Sequence, residues 1–310
     1  MAQHTPGPWE AIGCEIPATR KAWTKRDPYL GPRPSPAERI VSVTNLIGPP
    51  RIARLTALHR DELPPVEPGE DTWALLGTAV HAALEAAARE ADPPPLLVEH
   101  RATAEVSVGG TLWTVSGQCD LLEADGILWD WKCTSAWSVS DGRTGKSEWE
   151  CQLNTLRWLL ERSGAVPRGA IRGLAVWAIL RDWSESQAQR NGGYPDRQEL
   201  AVPVPLWTPD EADAYVRERL RLHEAARHEL PDCTPEERWA KGAGWAVLKS
   251  AKSARAERIL DSKADAERYR DELLGGRGLI EERHGTSARC AKYCPVRSVC
   301  TQAKKLLDTP

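Results

Sequence analysis

Three strand-like segments separated by two turn-forming residue pairs occupy residues 96–135. The segments read LLVEHRATAEVSV, TLWTVSGQCDLLE and ILWDWKCTS, with Gly109-Gly110 after the first and Asp125-Gly126 after the second. Apolar runs bounded by such pairs are typical of strands joined by tight hairpins. The pattern predicts an antiparallel meander, and this constrains the fold more than any other feature of the chain.

Helical periodicity flanks the meander on both sides. The alanine-rich run TWALLGTAVHAALEAAAR predicts a helix over residues 72–89, and SEWECQLNTLRWLLER predicts another over 147–162. Two apolar strands, GLAVWAILRDW and LAVPVPLW, follow. A Thr-to-Glu capping box with proline at the first helical position begins a helix at Thr208 that runs to about Leu230. This order of elements predicts an α/β core.

The C-terminal tail carries a second capping box and a group of cysteines. The sequence Thr234-Pro235-Glu236-Glu237 repeats the first box and predicts a further helix, so a helical tail is expected. Residues 1–37 are rich in proline and charge and predict an extended arm. We therefore expect an arm at 1–37, a core at 38–230 and a C-terminal subdomain at 231–310 that packs on the core.

Charge and hydropathy limit the partners of this 310-residue chain. Its 41 Lys and Arg against 44 Asp and Glu give a net charge of −3, so contact with nucleic acid must come from a local basic patch. No signal peptide and no run of about 18 apolar residues is evident, which predicts a cytoplasmic protein with no membrane contact. The best basic patch, for which a solvated face is the alternative explanation, consists of Lys249, Lys252, Arg255 and Arg258.

An acid and a lysine share one face of the third strand. Asp130 and Lys132 are two residues apart, and the hairpin at Asp125-Gly126 places Asp120 roughly opposite Asp130. Two carboxylates that close repel each other unless positive charge is supplied, by Lys132 and by a divalent cation such as Mg²⁺ or Mn²⁺. Such a site suits phosphodiester hydrolysis. Taken alone, the triplet is better explained as a structural salt bridge.

Four ordered motifs strengthen the catalytic interpretation. GTAVHAALE, GQCD, DWK and QLNTLRWLL resemble the His, G-x-x-D, D-x-K and Q-x-x-x-Y motifs of the RecB-like exonucleases in the PD-(D/E)XK superfamily, over about residues 40–305. The phage-type and CRISPR-associated members with cysteine-rich tails are the most similar. The resemblance implies a restriction-endonuclease-like core, with a central mixed sheet flanked by helices, and a helical C-terminal subdomain that binds a cluster.

The resemblance also implies roles for individual residues. His81, Asp120 and Asp130 become the metal ligands, Lys132 the catalytic lysine, and Gln152 the helix residue that helps to position the lysine or the DNA. Glu99 and Glu105 could complete the ligand set, although exposed strand acids are common without a metal. The tyrosine of the last motif is replaced by Leu156, with Trp158 two residues on.

Three cysteines crowd the tail segment RCAKYCPVRSVC as C-x3-C-x5-C. Thiols this close in an intracellular chain suggest an iron–sulfur cluster or a zinc ion, and either needs a fourth ligand. The RecB-like relatives with such tails hold a [4Fe–4S] cluster, and many take one cysteine from a place upstream that here reads IGPPRIARL. The predicted ligands are Cys233, Cys290, Cys294 and Cys300, with Cys14 as the alternative to Cys233; structural zinc and free thiols remain open.

The sequence and the resemblance together predict a Mg²⁺- or Mn²⁺-dependent DNA exonuclease. We expect it to act on single-stranded ends, in phage recombination, replication or DNA processing, inside a bacterium or a phage-infected host cell. A helicase, recombinase or integrase would be a fitting partner. The alternative is a catalytically silent, nuclease-derived protein that binds DNA or docks a partner.

Overall fold

The structure, a computed structural model, describes residues 22–23, 35–64, 71–140, 146–250, 252–253 and 255–307. It divides into a larger unit, residues 1–47 and 64–221, and a smaller unit, residues 48–63 and 222–310. Nearly all of the predicted arm, residues 1–37, lies outside the described residues. Residues 48–63, which the sequence places in the nuclease core, group with the C-terminal segment.

Between residues 40 and 307 the described chain contains nine strands and eight α-helices. In order they are β1 (Ile40–Ser42), α1 (Val43–Ile47), α2 (Pro50–Leu58), α3 (Thr72–Arg89), β2 (Leu97–Val108), β3 (Thr111–Leu122), β4 (Ile127–Thr134), α4 (Ser147–Ser163), β5 (Gly173–Leu180), α5 (Glu185–Ala188), β6 (Glu199–Val204), α6 (Pro209–His228), β7 (Ala240–Leu248), β8 (Arg258–Leu260), α7 (Lys263–Leu274), β9 (Leu279–Ser287) and α8 (Thr301–Leu307).

A six-stranded mixed sheet organises the larger unit. β3 pairs with β2 along its whole length, antiparallel, and its other edge pairs with β1 at residues 114–116 and with β4 at residues 121–122. β4 pairs with β5 parallel, and β5 with β6 antiparallel. The predicted meander and the predicted α/β class, a central mixed sheet flanked by helices, are therefore confirmed.

The core of the larger unit lies between this sheet and α4, which crosses strands β2 to β6. The predicted helix here is confirmed, and most of its residues are buried. Gly117 of β3 allows the close approach, because a Cβ at this position would lie 2.8 Å from side-chain atoms of Leu156 and Val43 and 3.0 Å from Leu159. The glycine of the GQCD motif is thus explained by packing.

Replacing Gly117 by alanine is expected to destabilise the larger unit by about 1–3 kcal/mol, because the added methyl group overpacks a close contact. Gly77→Ala is the matched control. A Cβ at Gly77 in α3 meets nothing within 4 Å, and helical alanine is favoured over glycine by about 0.5–1 kcal/mol. Urea unfolding should therefore show opposite shifts for the two variants, and equal shifts would contradict the packing argument.

The smaller unit combines helices with strands that the sequence analysis does not predict. It contains an antiparallel sheet in the order β8-β7-β9, beside helix α7. A second hydrophobic cluster of this unit combines Leu55 of α2 with Val296, Ala303 and the three tail cysteines. The cysteines therefore belong to a folded core.

The second capping box caps a turn instead of a helix. Thr234 N donates to Glu237 Oε2 at 2.9 Å, and Glu237 N donates to Thr234 Oγ1 at 3.2 Å, as a capping box requires. The chain then makes a turn over residues 235–239 and enters β7 at Ala240. The first box, between Thr208 and Glu211, has the same hydrogen bonds and begins α6 as predicted.

Candidate metal centre

Three acidic residues form a row across the strands of the larger sheet. The β2–β3 register, which pairs Val98 with Leu121 and His100 with Cys119, places Glu99 opposite Asp120. The β3–β4 register, which pairs Leu121 with Trp129, continues to place Asp120 opposite Asp130. Opposite residues on neighbouring strands have adjacent side chains. The row therefore brings three carboxylates together at the place where β3 and β4 stop pairing.

Glu99 has a backbone conformation that is rare for a residue with a side chain. Its φ is +46°, in the left-handed region, near the start of strand β2. Its carboxylate accepts a hydrogen bond from Gln118 Nε2 and lies 3.6 Å, Oε1 to Nδ1, from His81. Strained residues of this kind are found at functional sites where the surroundings hold them.

The imidazole ring of His81, in α3, lies beside Glu99 and Asp120 of this row. Its Nε2 lies 2.8 Å from the carbonyl oxygen of Trp131, which can only accept, so Nε2 carries a proton. Its Nδ1 faces Glu99 Oε1 at 3.6 Å and Asp120 Oδ2 at 3.8 Å. A histidine with one nitrogen bonded to a carbonyl presents its other nitrogen in the orientation that a metal ligand needs.

His81, Glu99 and Asp120 could hold a metal ion. One ligand atom from each lies within 4.8 Å of the others, and carboxylate oxygens with an imidazole nitrogen are a donor set that Mn²⁺ or Mg²⁺ accepts. Two of the three predicted metal ligands, His81 and Asp120, are in this group. Glu99 completes it, while the third predicted ligand, Asp130, stands next in the row.

Asp130 forms a second group with Lys132 and Gln152. Its Oδ2 lies 2.7 Å from Lys132 Nζ, and its Oδ1 accepts a hydrogen bond of 2.9 Å from Gln152 Nε2 of α4. Asp130 is only 3% exposed, and within the described chain its Oδ2 has no hydrogen-bond donor of proper geometry despite the ion pair. An acceptor of this kind, beside the three-residue group, is suited to a cation.

The pKa values of three groups in this arrangement are raised. Burial, with the nearby charge of Asp130, raises the pKa of Asp120 to about 7, although Trp131 N donates to its Oδ2 at 2.7 Å. The Glu99 carboxylate raises the pKa of His81. Burial alone would lower the pKa of Lys132, but the charge and hydrogen bond of Asp130 outweigh it and raise that pKa.

Divalent-metal binding is expected to release protons and to strengthen as the pH rises from 6 to 8. Because the folded pKa of Asp120 is near 7 and its ordinary value is 3.8, the metal-free protein holds a proton there that a cation must displace. The same shift should make the metal-free protein less stable as the pH rises from about 4 to about 7. Mn²⁺ titrations by calorimetry in two buffers of different ionisation enthalpy would measure the number of protons that metal binding releases. An Mn²⁺ affinity that does not change with pH would contradict the expected proton release.

Other predicted residues lie outside the row. Glu105 is exposed on the same strand as Glu99. Leu156 is buried against Gly117, so Leu156 cannot replace a tyrosine that contacts DNA.

In the basic patch, Lys249 pairs with Glu257 at 3.0 Å and Arg258 stacks on the ring of Tyr269. Lys252 and Arg255 are exposed between them.

Four cysteines lie close together in the smaller unit. Cys290, Cys294 and Cys300 are buried in its hydrophobic cluster, and Cys233 is fixed by two hydrogen bonds with Gln302. Burial raises the pKa of the Cys233 thiol to about 12, with smaller contributions from Glu237, Cys300 and Cys294. The alternative ligand Cys14 lies outside the described residues.

A buried arginine of α2 contacts the cysteine segment. Arg51, in IGPPRIARL, is 5% exposed, and its Nε donates to Cys300 Sγ at 3.2 Å. Its other nitrogens donate to Thr301 Oγ1 at 2.7 Å and to the carbonyl oxygens of Leu230 and Pro231. No local sequence pattern indicates this connection between α2 and the cysteine segment.

Comparisons with known proteins give weak likenesses. No protein-family model and no curated protein matches the sequence. The crystal structure of SSO0001 is similar with a TM-score of 0.47 and 18% identity, over 74% of this chain and 92% of that one. An alkaline exonuclease from Laribacter hongkongensis is similar with a TM-score of 0.32 and 12% identity, over 61% and 90%. Within the described part of the chain, no helix combines the length and the apolar character that a membrane span requires.

Proposed function

We propose that the larger unit is a metal-dependent DNA exonuclease of the PD-(D/E)XK type. The observation that carries the proposal is the row Glu99, Asp120 and Asp130, with His81 and Lys132 against it. Carboxylates that need a cation, placed beside a charged lysine, suit the hydrolysis of a phosphodiester. The four motifs that resemble RecB-like exonucleases support this interpretation, because each of them places a residue in or against the row.

Each residue has a task that follows from its position. His81, Glu99 and Asp120 would hold a divalent ion, with Asp130 beside them, and that ion would bind the scissile phosphate and acidify a water molecule. Lys132 is charged and its side chain is 27% exposed, so it can orient the water or balance the charge that develops on phosphorus. Gln152 donates to Asp130 and thereby fixes the acid that holds the lysine.

We further propose that the smaller unit binds a [4Fe–4S] cluster through Cys233, Cys290, Cys294 and Cys300. Four thiolates are the ligand set of a [4Fe–4S] cluster, and Cys290, Cys294 and Cys300 share one hydrophobic cluster of this unit. The resemblance to RecB-like nucleases with cysteine-rich tails favours this cluster over a zinc ion.

Anaerobic purification tests the cluster directly. The protein should be brown and contain iron and acid-labile sulfide, and Cys233→Ser should lose both, because it removes one of the four thiolates. Cys133→Ser, which changes a half-buried cysteine of β4, is the matched control and should keep them. A colourless protein with one zinc ion per chain would overturn the proposal.

End-labelled linear DNA and closed circular DNA together test the exonuclease proposal. With Mn²⁺ or Mg²⁺ present, the protein should release nucleotides from the linear substrate and leave the circle intact. Labelling the 5′ and 3′ ends separately gives the polarity in the same experiment. Equal digestion of the circle would show an endonuclease, and the exonuclease proposal would then be abandoned.

A further inference from the structure

Two tryptophans near the carboxyl end of β4, one in α3 and one in the loop after β4, are unusually exposed. Trp73, in the first turn of α3, is 57% exposed, and Trp137, just after β4, is 54% exposed. An exposed tryptophan leaves a large apolar ring in water, and such rings are found at surfaces that bind other molecules. Both belong to the larger unit, and Trp137 is five residues beyond Lys132.

Arg181 connects Trp73 to the strand that carries the candidate catalytic residues. Its backbone N donates to Thr134 O at 2.9 Å, and its Nη1 donates to Cys133 O at 3.4 Å. Its guanidinium carbon lies 4.4 Å from the centre of the Trp73 ring. This stack holds one face of the ring beside the carboxyl end of β4, two residues beyond Lys132, and supplies a positive charge there.

Trp137 is held in place by a hydrogen-bonded loop. Asp182 accepts from Ser135 Oγ and from Ala136 N, each at 2.7 Å, and so ties the segment before Trp137 to the segment after β5. The ring packs edge-on against Tyr194, with ring centres 5.7 Å apart. Hydrogen bonds fix this loop while the Trp137 ring stays more than half exposed. The exposure of the ring is therefore a property of the folded structure at this edge of the sheet.

We propose that Trp73, Arg181 and Trp137 form a base-stacking surface that holds the unpaired nucleotides of a DNA single strand next to the candidate metal centre. Successive bases stack well on aromatic side chains and on arginine planes, whereas the bases of a duplex are stacked on each other. Trp73 and His81 are both on α3, about 12 Å apart along its axis, so a strand of a few nucleotides reaches both. The proposal rests on the proposed nuclease function and adds a preference for unpaired DNA.

Binding without cleavage tests the surface. The parent protein is the Lys132→Ala variant with Ca²⁺, and the probe is a fluorescein-labelled oligothymidylate of about 12 nucleotides, within the site size of single-strand binders. Trp73→Ala and Trp137→Ala should each weaken binding roughly 5- to 150-fold, the effect of losing one base–aromatic stack. Trp73→Phe should keep most of the affinity, because it restores a ring.

Two controls separate stacking from other effects. Leu112→Ala removes a side chain that is 55% exposed at the opposite end of β3 and should bind as the parent does. A strand of the same length without bases should bind the parent weakly, and the tryptophan variants should weaken it no further. Parental affinity in both tryptophan variants, or an equal loss on the base-free strand, would overturn the proposal.

The results that contradict the nuclease proposal differ from those that contradict the stacking surface. If the wild-type chain cleaves no DNA with Mn²⁺ while the tryptophan variants lose affinity, the stacking surface stands and the nuclease proposal falls. If the wild-type chain cleaves DNA and the tryptophan variants bind as the parent does, the nuclease proposal stands and the stacking surface falls.

Discussion

Asp120→Asn is expected to lose divalent-metal binding by at least about 100-fold, more than the loss of an outer-shell partner would cost, and to lose DNA cleavage with it. Asp120 is 9% exposed, and its Oδ2 is the atom that the His81 ring nitrogen and the Trp131 amide both approach. Asparagine keeps an oxygen for the Trp131 amide but removes the charge that a cation requires. Mn²⁺ titration of the purified variant measures the effect.

The same substitution should leave the metal-free protein at least as stable as the parent. Burial and the charge of Asp130 make the Asp120 carboxylate costly to ionise, and asparagine removes this repulsion. Thermal unfolding in a chelating buffer therefore separates loss of the site from loss of the fold. Glu105→Gln, which changes an exposed acid on strand β2, should leave both metal binding and stability unchanged. Parental Mn²⁺ affinity in Asp120→Asn would show that the row is not the metal site.

Arg51→Met is expected to destabilise the smaller unit by about 3–5 kcal/mol, the usual cost of removing one partner from a buried charged network. The substitution leaves Thr301 Oγ1, two backbone carbonyl oxygens and Cys300 Sγ without their donor. Hydrogen exchange should therefore become faster in α2 and α8, because both helices lose the hydrogen bonds that Arg51 makes between them.

Asp232→Asn is the control for this experiment. Asp232 Oδ1 lies 3.2 Å from Arg51 Nη1, but its side chain is 75% exposed, so this pair contributes at most about 1 kcal/mol. Arg51→Lys keeps the charge and loses the planar fork, and it should fall between the two. If Arg51→Met exchanges hydrogen as slowly as the parent, the arginine does not fasten α2 to the cysteine segment.

The sequence predicts the larger unit well because its elements have strong local patterns. The helix at 72–89 matches its predicted bounds, and the strands of the meander begin and end within two residues of theirs. The smaller unit was predicted poorly. Strand β7 reads AKGAGWAVL, with two glycines and little alternation, and the box at Thr234 makes the same hydrogen bonds before a turn as before a helix.

The candidate site was predictable only where a motif is local. Asp130 and Lys132 are two residues apart, and one hairpin brings Asp120 to them. The contribution of Glu99 to the candidate metal site depends on the pairing of β2 with β3 and on a φ of +46°, and the sequence reveals neither. The contact of Arg51 with Cys300 joins residues 249 positions apart, a separation that no periodic pattern spans.

The most direct test of the nuclease proposal is cleavage of labelled DNA by the wild-type chain and by Lys132→Ala, each with Mn²⁺ and with a chelator. Lys132 lies 2.7 Å from Asp130, and its side chain is 27% exposed. We predict that cleavage requires Mn²⁺ and that the rate of Lys132→Ala is lower than that of the wild-type chain by about 100-fold or more. Equal cleavage by both proteins, or cleavage by neither, would contradict the account.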